Sequence, residues 1–116
     1  MEILIILNDS PYGTERTYNG LRLALSLART EGTELRVFLM GDAVAAAKPG
    51  QKTPEGYYNL ERMLRGLATK EVPVGVCGTC MEARGLFDAD LLAGAHRSSI
   101  SELTAWTLWA DKVATF

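Results

Sequence analysis

Two cysteines, three positions apart, are the residues of this chain whose type and spacing best fit chemistry. Cys77 follows the apolar residues 72–76, and Gly78 and Thr79 separate it from Cys80. We expect residues 72–76 to form a short buried strand, Gly78-Thr79 a tight turn, and Cys80 to begin a helix. A thiol in front of a helix faces unpaired N–H groups that favour the thiolate, and its pKa can fall from ~8.5 to roughly 3.5–7.5. Cys77 is therefore the predicted nucleophile, and Cys80 is predicted to lie near enough to exchange with it.

The residues alone leave three other interpretations of the cysteine pair open. Free cysteines are often small buried apolar residues, so both thiols could be structural. A zinc site usually needs four ligands, and Cys77, Cys80 and the single histidine, His96, supply at most three, so such a site would require a second subunit. A thioredoxin-type redox protein uses the same cysteine spacing, although its usual aromatic-Cys-Gly-Pro-Cys sequence is absent here. We predict no cofactor and no metal.

Several residues outside the pair could support a site at the same edge of the sheet. Arg84 could stabilise a thiolate or an anionic sulfur substrate, and an ion-paired surface role is the equal alternative. His96 is expected to be a structural histidine rather than a catalytic base. The long loop after residue 48 is a candidate because long loops in compact domains are often functional. The predicted supporting residues are Gly78, Arg84, Tyr12, Lys52 and Tyr57.

Length and composition limit the classes of protein. The chain has 116 residues, 47% of them hydrophobic, which predicts one domain spanning residues 1–116. A formal net charge of −2 gives no general basis for binding nucleic acid or an anionic membrane. Two closely spaced cysteines form no disulfide framework. We expect neither a signal peptide nor a transmembrane segment, and hence a cytoplasmic protein.

Hydrophobic periodicity predicts alternating strands and helices. Apolar runs predict strands near residues 3–7, 35–40, 72–76, 95–97 and 112–116. Helical stripes predict helices over roughly residues 14–30, 60–68 and 100–110, with shorter ones at 42–48, from Cys80 onward and at 88–93. Asp42 is the expected cap of the helix at 42–48, and Pro54, after Thr53, is a further candidate for a helix start. Five strands alternating with helices indicate an α/β fold with a largely parallel sheet covered on both faces.

The chain also resembles the DsrE/DsrF-like family of small sulfur-relay proteins, and most of all its YchN-like branch. The resemblance runs nearly end to end. It includes the Cys77-x-x-Cys80 pair followed by Arg84-Gly85. Further matching motifs are Pro11-Tyr12-Gly13, Leu21-Arg22-Leu23-Ala24, Phe38-Leu39-Met40, Asp42-Ala43-Val44, Gly50-Gln51-Lys52, Glu55-Gly56-Tyr57, Val72-Pro73-Val74, Trp106-Thr107-Leu108 and Ala110-Asp111-Lys112-Val113.

This resemblance implies a three-layer α/β/α sandwich around a mostly parallel five-stranded sheet. It also implies assembly into homotrimers or homohexamers, and exchange with sulfur donors and acceptors. A cysteine matching Cys77, followed by an Arg-Gly matching Arg84-Gly85, carries sulfur as a persulfide in the sulfur-relay members. Cys80 belongs to the YchN-like pattern and is not general to the family, and His96 matches no family motif.

Overall fold

The structure is a computed structural model that describes residues 1–53 and 58–116, and it is built on a five-stranded sheet in the order β4-β3-β2-β1-β5. All four strand pairings are parallel. The strands are β1 (Glu2–Leu7), β2 (Glu34–Leu39), β3 (Val74–Cys77), β4 (Ala95–Ser98) and β5 (Lys112–Thr115). The helices are α1 (Arg16–Ala28), α2 (Leu60–Thr69), α3 (Gly78–Ala83) and α4 (Ile100–Trp109), with 3₁₀ helices at Gly41–Ala47 and Asp88–Asp90.

Helices cover both faces of the sheet, so the predicted three-layer α/β/α sandwich is confirmed. On one face the side chains of Ile3, Ile5 and Leu7 pack with α1, α2 and the Gly41–Ala47 helix in the larger core. On the other face Leu4 and Phe38 pack with two side chains of α4 in a smaller core. The alternation of side chains along β1 divides the apolar run between the two cores. Within the two described ranges, no helix is both long and apolar enough to cross a membrane.

The parallel pairing brings the carboxyl ends of the strands to one edge of the sheet. The loop after β1, the Gly41–Ala47 helix after β2 and α3 after β3 all start there. Ligand sites of open α/β sheets lie at this edge. The predicted chemistry at Cys77 is therefore located where the fold places loops and helix ends.

Local predictions near the cysteines were wrong in two respects. β3 begins at Val74 rather than at residue 72, because Pro73 has no N–H to give to the sheet, although its carbonyl accepts from the Val37 N–H. Gly78 and Thr79 form the first residues of α3 rather than a tight turn, so the helix begins immediately after Cys77.

The start of one other helix differs from the prediction, and the start of α2 agrees with the predicted helix over residues 60–68. The helix at Gly41–Ala47 is 3₁₀, and Met40, not Asp42, occupies its N-cap position. α2 begins at Leu60, where the side chain of Asn59 accepts from the Arg62 N–H at 3.0 Å. The predicted helix start at Pro54 lies outside the described residues.

The close contact between α1 and β1 provides a test of the packing. A Cβ on Gly20 would lie 2.3 Å from Leu7 Cδ2, whereas one on Gly66 in α2 would lie 3.2 Å from Leu25 Cδ2. We expect Gly20→Ala to lower the free energy of unfolding by about 1–3 kcal/mol, because the extra methyl overpacks the larger core. Gly66→Ala is the matched control and should cost clearly less in chemical denaturation. Equal costs for the two variants would contradict this account.

Candidate functional site

Cys77 joins the sheet to α3. It is the last residue of β3 and holds the N-cap position of α3. Its side chain is half-buried and packs against both cores of the domain. Cys77 is therefore held by packing on two sides and keeps part of its surface exposed at the carboxyl edge of the sheet.

Cys80 lies one helical turn beyond Cys77, and its sulfur is held by a backbone donor from a different element. The Gly41 N–H donates to Cys80 Sγ at 3.2 Å. Burial has the largest effect on the Cys80 thiol and raises its pKa, and the hydrogen bond and the charge of Cys77 raise it further. The hydrogen bond from the Gly41 N–H and the charge of Arg84 lower this pKa. The net effect is a raised pKa, so Cys80 is protonated at neutral pH.

Gly41 can donate to Cys80 because it has no side chain. Its φ of +57° lies in the left-handed region, and a Cβ there would sit 3.2 Å from the carbonyl oxygen of Asn8. Glycine adopts this conformation without strain. The backbone between β2 and the Gly41–Ala47 helix can thus turn sharply and point its N–H at the sulfur.

Arg84 connects the Cys80 helix to the Gly41–Ala47 helix. Its Nε and Nη2 donate to Asp42 Oδ1 at 3.0 and 2.7 Å, and its Nη1 donates to the carbonyl oxygen of Cys80 at 3.0 Å. The ion-paired role is therefore present, and the guanidinium also favours the Cys80 thiolate through its charge.

Arg97 on β4 is a residue of this site that the sequence analysis missed. A Cβ on Gly78 would lie 2.8 Å from Arg97 Nε, so the guanidinium passes directly over the first residue of α3. Arg97 also forms ion pairs with Glu82 on α3 and with Asp88. The absence of a side chain at Gly78, next to Cys77, thus leaves room for this guanidinium. The only signal in the sequence was a charged residue near the end of a short strand.

The remaining predicted residues occupy different places. Tyr12 lies in the loop after β1, and its hydroxyl oxygen accepts from the Leu60 N–H at 3.3 Å. Lys52 is exposed, and Tyr57 lies outside the described residues. The structure therefore brings together Cys77, Gly78, Cys80 and Arg84, whereas Tyr12 contacts the start of α2.

His96 lies on the face of the sheet that α4 covers. Its Nε2 is hydrogen bonded to Glu102 Oε1, and its ring contacts the edge of Trp106 with centroids 5.9 Å apart. Across residues 1–53 and 58–116, no three side chains of His, Cys, Asp or Glu are grouped as ligands of a metal ion.

Comparisons with known proteins agree on the family. The family model of the DsrE/DsrF-like family matches residues 1–116. Protein YchN of Escherichia coli K12 is 47% identical over 116 residues, covering 99% of this chain and 98% of that protein. The uncharacterized protein MJ0989 of Methanocaldococcus jannaschii is 38% identical over 116 residues, with full coverage of both chains.

Solved structures show the same fold. The crystal structure of the ychN protein from E. coli superposes with a TM-score of 0.94 at 46% identity, covering 99% of this chain and 98% of that one. The Methanobacterium thermoautotrophicum protein of unknown function MTH1491 has a TM-score of 0.75 at 14% identity, covering 99% and 97% of the two chains, and shows the fold alone. With a family model that spans the whole chain and a relative at 47% identity, this protein belongs to the DsrE/DsrF-like family.

Proposed function

We propose that this protein is a sulfur carrier that accepts sulfane sulfur on Cys77 as a persulfide and passes it on. The observation that carries the proposal is the pairing of two unequal thiols at the carboxyl edge of the sheet. Cys77 ends β3 in front of α3, and Cys80 lies beside it on the Gly41 N–H. The family, whose members are generally linked to sulfur relay, supports the same assignment.

The first step is a thiolate attack on a persulfide donor. The Cys77 thiolate bonds to the outer sulfur of R–S–SH, the S–S bond of the donor breaks, and R–S⁻ leaves. The product is Cys77–S–SH. One S–S bond forms for the one that breaks, so the step needs no oxidant or reductant. The sulfur then passes to the thiolate of an acceptor by the same exchange.

The local environment of the two thiols supports the order in which we propose that they act. Burial and then the hydrogen bond and the charge of Cys77 raise the pKa of Cys80, so the Cys80 thiol keeps its proton at neutral pH. An exchange reaction needs the thiolate as the nucleophile. Cys77 therefore attacks first, and Cys80 is the later thiol.

Cys80 acts as the resolving thiol when no acceptor is present. Its thiolate attacks the inner sulfur of Cys77–S–SH, forms the Cys77–Cys80 disulfide and releases HS⁻. Arg84 and the Gly41 N–H favour the Cys80 thiolate that this step needs. A second candidate function, a dithiol redox protein without sulfur transfer, is favoured by the same contact between the two cysteines.

The partners that we propose are identical chains and sulfur donors and acceptors in the reducing cytoplasm. Apolar side chains on the α4 side support a homo-oligomer, since Leu108 is 82% exposed and Ile100 67% exposed on α4. Val113 is 45% exposed on β5, which is an edge strand. Exposed apolar side chains next to an unpaired strand edge are typical of a surface that another chain covers.

The carrier mechanism predicts a specific sulfur adduct. We expect the reduced protein, treated with glutathione persulfide, to gain one sulfur atom in an intact-mass measurement, and Cys77→Ala to gain none. Cys80→Ala should keep the adduct longer than the unmodified protein, because the resolving thiol is gone. A Cys77–Cys80 disulfide without any adduct in any variant would instead favour the redox function. Two unreactive thiols would favour structural cysteines.

The raised pKa of Cys80 predicts a pH dependence. A thiol with a raised pKa stays protonated, so the alkylation of Cys80 by iodoacetamide should rise only at alkaline pH. In Cys77→Ala the two contributions from Cys77 that raise the pKa are lost, and the midpoint for Cys80 should move to lower pH. Arg84→Gln removes a charge that lowers this pKa, so in that control the midpoint should move to higher pH. Shifts in the same direction would contradict the assignment.

The proposed oligomer can be tested at the α4 surface. Leu108→Lys places a charge on the most exposed apolar side chain of that surface and should shift the molar mass from light scattering towards that of one chain. Leu23→Lys on α1, where the leucine is 38% exposed, is the control and should leave the mass unchanged. A monomer in the unmodified protein would overturn the proposal outright.

A further inference from the structure

Asp42 and Arg84 form an ion pair between the two elements that surround Cys80. Asp42 lies in the first turn of the Gly41–Ala47 helix, and Arg84 is the residue that ends α3. The Nε and Nη2 atoms of Arg84 donate to the same oxygen, Asp42 Oδ1, at 3.0 and 2.7 Å. Because the guanidinium is a planar, charged fork, two donors on one oxygen fix its orientation as well as its distance. The pair therefore ties the end of α3 to the beginning of the Gly41–Ala47 helix.

The remaining nitrogen of the same guanidinium reaches the backbone of Cys80. Arg84 Nη1 donates to the Cys80 carbonyl oxygen at 3.0 Å. An α-helical hydrogen bond from the Arg84 N–H would go to this oxygen, but the N–H donates to the Met81 carbonyl oxygen at 3.0 Å. Carbonyl groups in the last turn of a helix need partners from outside its own ladder. The side chain that Asp42 orients is therefore also the donor to the backbone of Cys80.

These contacts close a ring that includes the sulfur of Cys80. Gly41 directly precedes Asp42, and its N–H donates to Cys80 Sγ at 3.2 Å. The ring runs from Gly41 to Asp42 through the peptide bond, to Arg84 through the ion pair, to the Cys80 carbonyl oxygen, and from Cys80 Sγ back to Gly41. Backbone and sulfur of Cys80 are thus held by the same set of contacts.

The ion pair in this ring is better suited to positioning than to stabilising the fold. The Asp42 side chain is 67% exposed, and exposed ion pairs contribute little to the free energy of unfolding. A misplacement of about 1 Å at a reacting atom, in contrast, can cost roughly 100-fold in rate. The side chain of Cys80 is also hydrogen bonded to that of Cys77, so a shift of the ring acts on the distance between the two thiols.

We propose that Asp42 is a positioning residue which, through Arg84, keeps Cys80 Sγ aligned for attack on the Cys77 persulfide. In this step the Cys80 thiolate bonds to the inner sulfur of Cys77–S–SH, the bond to the outer sulfur breaks, and HS⁻ leaves with the electron pair. Asp42 then sets how long the persulfide remains available to an acceptor. The inference rests on the proposed function, since it takes Cys80 as the resolving thiol.

The test compares Asp42→Asn with Asp42→Ala in the full-length protein. Both variants lose the negative charge, but only asparagine keeps an oxygen that can accept from the guanidinium. The reduced protein is loaded with glutathione persulfide and freed of excess donor, and intact mass follows the conversion of the persulfide into the Cys77–Cys80 disulfide. We expect Asp42→Ala to slow this conversion roughly tenfold and Asp42→Asn to slow it less than about threefold, because a displaced nucleophile loses rate steeply.

A plain charge effect of Asp42 would have the opposite sign. The charge of Arg84 lowers the pKa of Cys80, and the Asp42 carboxylate offsets part of that charge. Its removal by charge alone would favour the Cys80 thiolate and speed up the conversion. A conversion in Asp42→Ala that is unchanged or faster overturns the proposal, and so do equal rates in the two variants.

Two controls distinguish positioning from a general disturbance of the protein. The uptake of sulfur by Cys77 should proceed at the same rate in Asp42→Ala as in the unmodified protein, and a matching loss in both steps would overturn the proposal. Arg65→Gln removes an ion pair of 3.1 Å with Glu61 inside α2, away from the ring, and should leave the conversion unchanged.

Oxidised glutathione provides a readout that needs no sulfane sulfur. The Cys77 thiolate forms Cys77–S–SG and releases GS⁻, and Cys80 then attacks Cys77 Sγ and releases the second GS⁻. If Asp42→Ala again resolves more slowly than Asp42→Asn but no variant takes up sulfur from glutathione persulfide, the role of Asp42 is kept and the carrier function is lost. Sulfur uptake on Cys77 with equal resolution in all variants keeps the carrier function and overturns the role of Asp42. The absence of a disulfide in both reactions overturns it too.

Discussion

The parallel pairing of β3 with β2 on one side and β4 on the other is the constraint on which the candidate site depends. β3 has only four residues and lies between its two neighbours in the sheet. Its register with β2 places the turn at Gly41 next to Cys80, and its register with β4 places Ser98 next to Cys77. An antiparallel neighbour would have put the beginning of a strand at these positions instead of the turn that follows β2.

The two cysteines are close in space but experience different surroundings. Cys80 belongs to the margin of the larger core and contacts a backbone donor, while Cys77 touches both cores and lies next to a serine. Burial and mutual repulsion keep the two thiols from ionising together. Two identical side chains thus acquire different surroundings from their positions alone.

The sequence predicts the parts of this molecule that depend on local pattern. The continuous apolar run of β1 and the helical stripe of α2 are visible because periodicity and length report burial directly. The cysteine pair and Arg84 are visible because their spacing is a property of one short segment. The position of Arg97 over Gly78 could not be predicted, because it arises from the order of strands in the sheet, which the periodicity of a single chain does not contain. Gly78 was predicted to be part of a tight turn. Its position under a guanidinium could not be predicted, because the arginine belongs to another strand.

The contact between Gly78 and Arg97 has a consequence for how this site can change through evolution. Any side chain at position 78 must displace the guanidinium, and the displacement would also disturb the ion pairs with Glu82 and Asp88. A shorter residue at position 97 removes the obstacle without altering the backbone of α3. The two positions are therefore expected to vary together among descendants of this chain, with the change at 97 preceding the change at 78. A side chain at position 78 therefore has to be accommodated by a neighbour from another strand of the sheet, and not by α3 alone.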